Sequence, residues 1–283
     1  MPYARAVIAT LLLSAAVAVP AWATQAAPAA ASSAPSSSAP AALDAAIAGS
    51  WRLPSNRARD VYRHPAATLA FFGVQPGQTV IEITPGGGWY SEILAPLLHD
   101  QGEYVAALFA PSTGAGAARS EAALKRKFAF DAAHYGKARI VEFDAKAPVL
   151  GAAGSADRVL TFRNVHNWTD DGSAAAMFKA FFTVLKPGGV LGVVDHRAGP
   201  GGTDPDSGYL RTEDVIKLAT DAGFKLDGSS EVNANPKDTR NYPKGVWTLP
   251  PSYALGEQDK AKYQAIGESD RMTLRFVKPA SAP

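Results

Sequence analysis

None of the 283 residues is a cysteine. That absence excludes disulfides, thiolate metal sites, iron–sulfur clusters, lipoprotein attachment and a cysteine nucleophile together. Net charge is nearly absent as well: 28 Lys and Arg stand against 26 Asp and Glu, leaving +2. Binding to nucleic acid or to an acidic membrane draws on clustered basic residues, and so small a surplus indicates neither. Histidine is scarce, with five in the chain. No two of them have the paired helical spacing of a metal motif, so no metal is expected, and a site built from His166, Asp195 and His196 stays a minor alternative. What is plentiful is apolar material: 47% of residues are hydrophobic and 19% charged, enough for a packed core and unlike a disordered chain.

The chain opens with Arg5, an apolar run from Ala6 to Val19, and Ala21-Trp22-Ala23, a small-x-small pattern. Residues 1–23 are therefore expected to be a secretory signal peptide cleaved after Ala23, which places the mature protein in the periplasm or outside the cell. The apolar run falls short of the ~20 residues that cross a bilayer, so no stable span is expected after cleavage. Residues 24–42 are almost wholly Ala, Ser and Pro and read as a flexible linker. Residues 43–283 show no comparable break and read as one domain.

Within that domain, β-rich runs alternate with helical spacing. Strands are expected at Thr79 to Ile83, Tyr104 to Leu108, Ala138 to Phe143, Asp157 to Arg163, Val190 to Asp195, Lys225 to Val232 and Met272 to Val277. Helices are expected at Leu43 to Ile47, Pro65 to Phe72, Trp89 to Leu98, Ser120 to Phe130, Ser173 to Leu185 and, with Thr212 as N-cap, Glu213 to Ala222. Alternation of this kind predicts an α/β fold with a mostly parallel sheet and helices on both faces. The last two strands lack a good helix between them and are expected to pair antiparallel.

Open α/β sheets bind ligands at the carboxyl ends of their strands. The expected site is thus Thr84 to Gly88, Asp144, Arg163 to Trp168 and Asp195 to Arg197. Pro85-Gly86-Gly87-Gly88 lies between a buried strand and a helix, where glycine permits positive φ and close approach of a ligand. A dinucleotide-binding loop would need Gly-x-Gly-x-x-Gly and an acid about 20 residues later. Ser91 stands at the third glycine, and Ala106 and Ala107 lie where the acid is needed.

Four stretches now carry a family resemblance: Arg59 to Gly73, Val80 to Pro96, Phe162 to Trp168 (FRNVHNW) and Leu185 to Gly199 (LKPGGVLGVVDHRAG). They resemble class I S-adenosylmethionine (SAM) dependent methyltransferases, in particular an exported "predicted methyltransferase" group, from about Arg57 to Lys278. The resemblance implies a Rossmann-like seven-stranded sheet with an antiparallel last strand, and SAM as cofactor. The family's acid-x-Gly-x-Gly-x-Gly loop maps onto Glu82, Thr84, Gly86 and Gly88, with Thr84 where the family has glycine. Pro85, Gly87 and Tyr90 belong to the same stretch, Asp144 matches the acid that meets the adenine amino group, and Asn164 matches the residue flanking the cofactor. The acid that holds the ribose should fall at Ala107 to Phe109, where there is none.

A methyl transfer chiefly needs donor and acceptor held in line. Trp89, Tyr90 and Trp168 offer aromatic faces to a sulfonium, although aromatics as often serve the core. His166 or His196 suits a general base, with Asp195 and Arg197 to orient it or to bind an acidic substrate. Arg57, Arg59, Asp60, Tyr62, Arg63 and His64 either line the pocket mouth or form a solvated ion-paired segment. The expected activity is methyl transfer to a small molecule or a cell-envelope component. The alternative is a non-catalytic periplasmic protein that binds a nucleoside or other metabolite.

Overall fold

A computed structural model describes residues 38–201 and 204–280. The expected signal peptide at residues 1–23, and the linker up to residue 37, lie outside the described residues. Four short helices precede the sheet: α1 (Ala39–Ala48), α2 (Pro54–Arg57), α3 (Asp60–Arg63) and α4 (Pro65–Phe71). Helix α1 begins ahead of the boundary expected at Leu43, because Pro40 in its first turn costs no hydrogen bond and Leu43 and Ala46 find buried places.

Strands β1 (Thr79–Ile83), β2 (Glu103–Phe109), β3 (Arg139–Phe143), β4 (Ala156–Phe162), β5 (Leu185–His196), β6 (Lys225–Ser230) and β7 (Arg271–Val277) form one seven-stranded sheet in the order β3-β2-β1-β4-β5-β7-β6. The first five run parallel, and β7 lies antiparallel between β5 and β6. The α/β fold with its mostly parallel sheet and antiparallel last strand is thus the one expected. The remaining helices are α5 (Ser91–Leu98), α6 (Ala115–Phe130), α7 (Ala132–Tyr135), α8 (Val165–Asp170), α9 (Ala174–Val184), α10 (Thr212–Asp221) and α11 (Lys260–Ile266). Thr212 is the first residue of α10 and not its cap, a place taken by Arg211. Among the described residues no helix is long and apolar enough to cross a membrane.

Two hydrophobic clusters sandwich the sheet. One joins Ile81, Ile83, Val159 and Leu191 to Phe178 and Phe181 of α9 and Val215 of α10. The other joins Val80, Tyr104 and Leu160 to Leu69 of α4 and Ile93 and Leu94 of α5. Because helices cover both faces, the central strands are buried along nearly their whole length and read as unbroken apolar runs. The two-residue period of β1 puts Glu82 on the same face as Val80, beneath α5. Strand β1 lies between β2 and β4 in the order, so the residues that follow it reach the carboxyl edge between those two strands.

Candidate functional site

The chain leaves β1 through a strained turn. Thr84 takes φ 44°, the left-handed conformation in which a side chain costs about 1–2 kcal/mol. Its N–H donates to the Ala107 carbonyl at 2.7 Å, which extends the β1–β2 ladder by one step. Threonine therefore adopts here a backbone that glycine would take without strain. The Thr84 hydroxyl oxygen is buried without a hydrogen-bond partner. Gly86 and Gly88 also have positive φ, 59° and 77°. A Cβ added at Gly86 or Gly87 meets nothing within 4 Å, whereas one at Gly88 meets Leu124 and Lys127 of α6 at 3.2 and 3.3 Å. Gly86 and Gly87 thus face open space at the carboxyl edge. Gly88 does not; it lets α6 pack against the loop.

This open space is a cavity of about 210 Å³ between the loop, α2–α3 and the end of β4. Glu82, Thr84, Pro85, Gly86, Gly87 and Tyr90 all line it, as does Asn164. Glu82 is nevertheless turned largely into the protein, 2% exposed. Its Oε2 accepts from the Tyr104 hydroxyl at 2.6 Å and from Ser91 Oγ at 3.2 Å. Burial pushes its pKa up to about 7, against the pull of those two hydroxyls and of Arg63. Tyr90, at the N-cap of α5, stacks on Phe162 with ring centres 3.6 Å apart. Asn164 Nδ2 donates to the Ile83 carbonyl at 3.0 Å and to Thr161 Oγ1 at 3.2 Å, so its side chain ties the ends of β1 and β4 together.

The far wall of the cavity is basic. Arg59 and Arg63 come from the α3 segment, which Arg52 fixes by a two-bonded pair with Asp60 at 2.8 Å. Glu92 of α5 holds α2 in place, accepting from Asn56 Nδ2 at 2.9 Å and from Leu53 N at 3.2 Å. Arg59 and Arg63 both reach the buried Glu268, at 2.6 and 3.3 Å, and Arg271 pairs with the same carboxylate. Burial pushes the Glu268 carboxyl up, but Arg271, Arg63 and Arg59 outweigh it and hold its pKa at about 2. Burial, with the neighbouring Arg163, Arg271 and Arg59, lowers Arg63 to about 9, so it stays charged at neutral pH. Arg163, the third basic residue of the wall, follows β4 with φ 62°. Thr84 and Arg163 are thus two non-glycine residues held in left-handed conformations at neighbouring strand ends, a strain that clusters at functional sites.

Beyond Arg163 the chain turns directly into α8, which buries His166 and Trp168. Trp168 packs against Phe181 and belongs to the core; it presents no face to the cavity. Asp195 is fully buried at the end of β5: Oδ2 accepts from Val165 N at 2.7 Å, and Oδ1 accepts from His196 N at 2.8 Å and lies 2.9 Å from His166 Nδ1. His196 is buried with Nδ1 2.5 Å from Ser269 Oγ. Burial, then Arg163 and His166, pushes its pKa well below the ordinary value, so it is neutral at pH 7. One atom each from His166, Asp195 and His196 lie within 4.8 Å of one another, a spacing a metal ion can use. The guanidinium groups of Arg163, Arg271 and Arg63 act on His196 and oppose a cation there. Arg197 turns away from the crevice, because Asp270 at 2.8 Å and Glu231 at 2.7 Å capture its guanidinium.

Asp144, just past β3, is exposed and lines a separate cavity of about 440 Å³ with Phe109, Gly114 and Ala117. Its Oδ1 accepts from Lys146 N at 2.9 Å. Strand β2 ends in Ala107, Leu108 and Phe109, and the first polar side chain past it near the crevice is Ser112 or Thr113, not an acid. Trp89 donates its Nε1–H to the Asn56 carbonyl at 2.8 Å and carries the Arg52 and Arg63 guanidiniums over its ring at 5.2 and 4.8 Å. No local sequence pattern groups Arg163 with Glu268 and Arg271. The available signal was four consecutive polar residues, Glu268 to Arg271, immediately before an apolar strand; all four are buried.

Comparison with solved structures gives a SAM-dependent methyltransferase from Aquifex aeolicus, with a TM-score of 0.54 and 14% identity over 84% of this chain and 98% of that one. The chain has the fold of class I SAM-dependent methyltransferases. The cyclase SpnF is similar too, at TM-score 0.51 and 17% identity over 82% of this chain and 84% of that one. So is a putative sarcosine dimethylglycine methyltransferase from Galdieria sulphuraria, at TM-score 0.50 and 14% identity over 76% and 84%. No family model and no curated protein sequence matches the chain. At such identities the methyltransferase fold is shared, while the chemistry has to be read from the site.

Proposed function

We propose that this protein is a SAM-dependent methyltransferase acting on a small molecule or a cell-envelope component. The observation that carries the reading is the turn after β1. Thr84 is forced into a glycine-like conformation, its buried hydroxyl lacks a partner, and Gly86 and Gly87 leave backbone open to a ligand. A β-branched residue at positive φ is a rare conformation, and such strain clusters at functional sites. Gly86 and Gly87 cradle the amino-acid end of the cofactor, and Thr84 supplies a hydroxyl beneath it. Asp144 would accept from the adenine amino group, and backbone would serve the ribose in place of the missing acid. When bound, SAM supplies a sulfonium-activated methyl group. Tyr90 and Phe162 are stacked on each other and line the crevice beside the loop. Asn164 keeps the ends of β1 and β4 in register.

His166, Asp195 and His196 serve this reading as a positioning network behind Arg163, since the Asp195 oxygens and His196 Nδ1 all have protein partners. Residues 1–23 direct export, and the mature chain begins at Thr24. The test is calorimetric titration of residues 24–283 with SAM and with its demethylated product, S-adenosylhomocysteine (SAH). Saturable binding of both in the micromolar range is expected; absence of binding at millimolar ligand overturns the reading. N-terminal sequencing of the secreted or periplasmic protein is expected to begin at Thr24, and an intact Met1 overturns the export proposal.

A further inference from the structure

The crevice carries more positive charge than its own residues neutralise. Four guanidiniums meet there, those of Arg59, Arg63, Arg163 and Arg271. Glu268 answers three of them, being paired with Arg59, Arg63 and Arg271. Arg163 is left over. Among the described residues its guanidinium has no hydrogen bond and no ion pair, although it is half-buried and lines the cavity. Glu268 and, more weakly, Asp195 act on it from a distance, but Glu268 is engaged by Arg59, Arg63 and Arg271, and the Asp195 oxygens are taken by Val165 N, His196 N and His166. A desolvated guanidinium without a partner is costly, and such groups are retained where a ligand supplies the missing acceptor.

Position separates this group from the methyl donor. In the order β3-β2-β1-β4-β5-β7-β6, Asp144 follows β3 on one side of the glycine loop. Arg163 follows β4, His196 ends β5 and Arg271 begins β7, all on the other side. A donor that reaches from the loop toward Asp144 therefore runs away from Arg163. Charge points the same way. SAM carries a carboxylate, an ammonium and a sulfonium, a net charge of about +1 at neutral pH, so its arrival adds to the surplus.

We propose, resting on the methyltransferase reading above, that the methyl acceptor bears an oxyanion, a carboxylate or a phosphate, seated on Arg163 with Arg63 and Arg59, and that this anion and the sulfonium donor bind cooperatively. The arginine wall alone repels the sulfonium and favours the neutral thioether product. An anion on Arg163 cancels that field. The empty protein accordingly binds SAH more tightly than SAM, and an anion narrows the gap by tightening SAM. The expected coupling is about tenfold in SAM affinity, within the usual range for linked sites.

The test uses residues 24–283, with SAM and SAH titrated at constant ionic strength in chloride, in acetate and in inorganic phosphate. The expected result is a saturable anion effect that lowers the Kd of SAM about tenfold and leaves that of SAH nearly unchanged. A response to acetate alone identifies a carboxylate acceptor, and one to phosphate alone a phosphate ester. Arg163→Gln is expected to abolish the effect and to shift the SAM-to-SAH affinity ratio toward SAM. Its melting temperature should equal or exceed that of the parent, since a half-buried charge without a partner is removed. Three results overturn the proposal: an anion that raises the Kd of SAH, which would mean that the arginines hold the donor's own carboxylate; cofactor binding indifferent to the anion; or an anion effect that survives in Arg163→Gln. Failure of both SAM and SAH to bind overturns the cofactor reading itself, and with it any acceptor role for the arginines.

Discussion

Glu82 sits beneath the glycine loop with a pKa of about 7, and its protonation should be visible as pH-dependent stability. The carboxyl is raised from an ordinary value of 4.5, so between these two values the folded protein holds a proton that the unfolded chain releases. Stability therefore falls as pH rises through that window. A raised pKa is the reverse of the usual ion-paired carboxylate, whose contribution grows with pH. With 1.36 kcal/mol for each pH unit, the loss from Glu82 alone is about 3 kcal/mol. The assay is urea unfolding of the parent and of Glu82→Gln at intervals from pH 4.5 to 8. Glutamine keeps an oxygen for the Tyr104 hydroxyl, which lies 2.6 Å from Oε2 in the parent, and cannot ionise. All other titrations are common to the two proteins and cancel in the difference. The variant should gain on the parent by about 3 kcal/mol across the window, most steeply midway between the two pKa values and levelling off above pH 7. Parallel profiles would mean that Glu82 titrates as an exposed carboxyl, and the burial argument would fail. A cationic ligand in the crevice should also pull the Glu82 pKa down, releasing a proton that shows as a buffer-dependent binding enthalpy.

Other substitutions separate ligand contact from folding. Gly87→Ala meets neither a neighbour nor an unfavourable φ, so its melting temperature should not change while SAM binding weakens; Gly88→Ala should instead lose about 1–3 kcal/mol of stability against Leu124 and Lys127, measured by denaturant unfolding. Asp144→Ala should raise the Kd of SAM about tenfold or more at constant melting temperature, because the carboxylate makes one local bond to Lys146 N. Glu268→Gln strands Arg59, Arg63 and Arg271 and should cost about 3–5 kcal/mol. With the Glu268 pKa held at about 2, its contribution is complete above about pH 4.5 and is lost as pH falls toward 2, so acid unfolding of the variant should be less steep.

Much of this architecture is legible in the residues themselves. The central strands lie between two layers of helices and so appear as short β-rich runs bounded by Gly and Pro, and all seven lie within a few residues of their expected places. Helix α8 escaped notice because Val165 to Asp170 is too short to show a period, and its burial of His166 and Trp168 depends on α9. The glycine loop announced itself, yet the division of labour within it did not. Only the path of α6 shows that Gly88 serves packing while Gly86 and Gly87 face the cavity. Arg197 looked like part of the site because it follows Asp195 and His196 in sequence. Its real partners, Glu231 and Asp270, are 34 and 73 residues away. The arginine wall was hidden for the same reason: Arg59 and Arg63 meet Glu268 and Arg271 across roughly two hundred residues, and no local pattern encodes that meeting.

The central claim is that the carboxyl edge at β1 receives SAM, and hydrogen exchange of residues 24–283 with and without saturating SAH tests it in place. The account predicts slowed exchange in two stretches, residues 84–90 and 109–117, with a third at 144–146. No protection at millimolar SAH, or protection confined to residues outside these stretches, would contradict it.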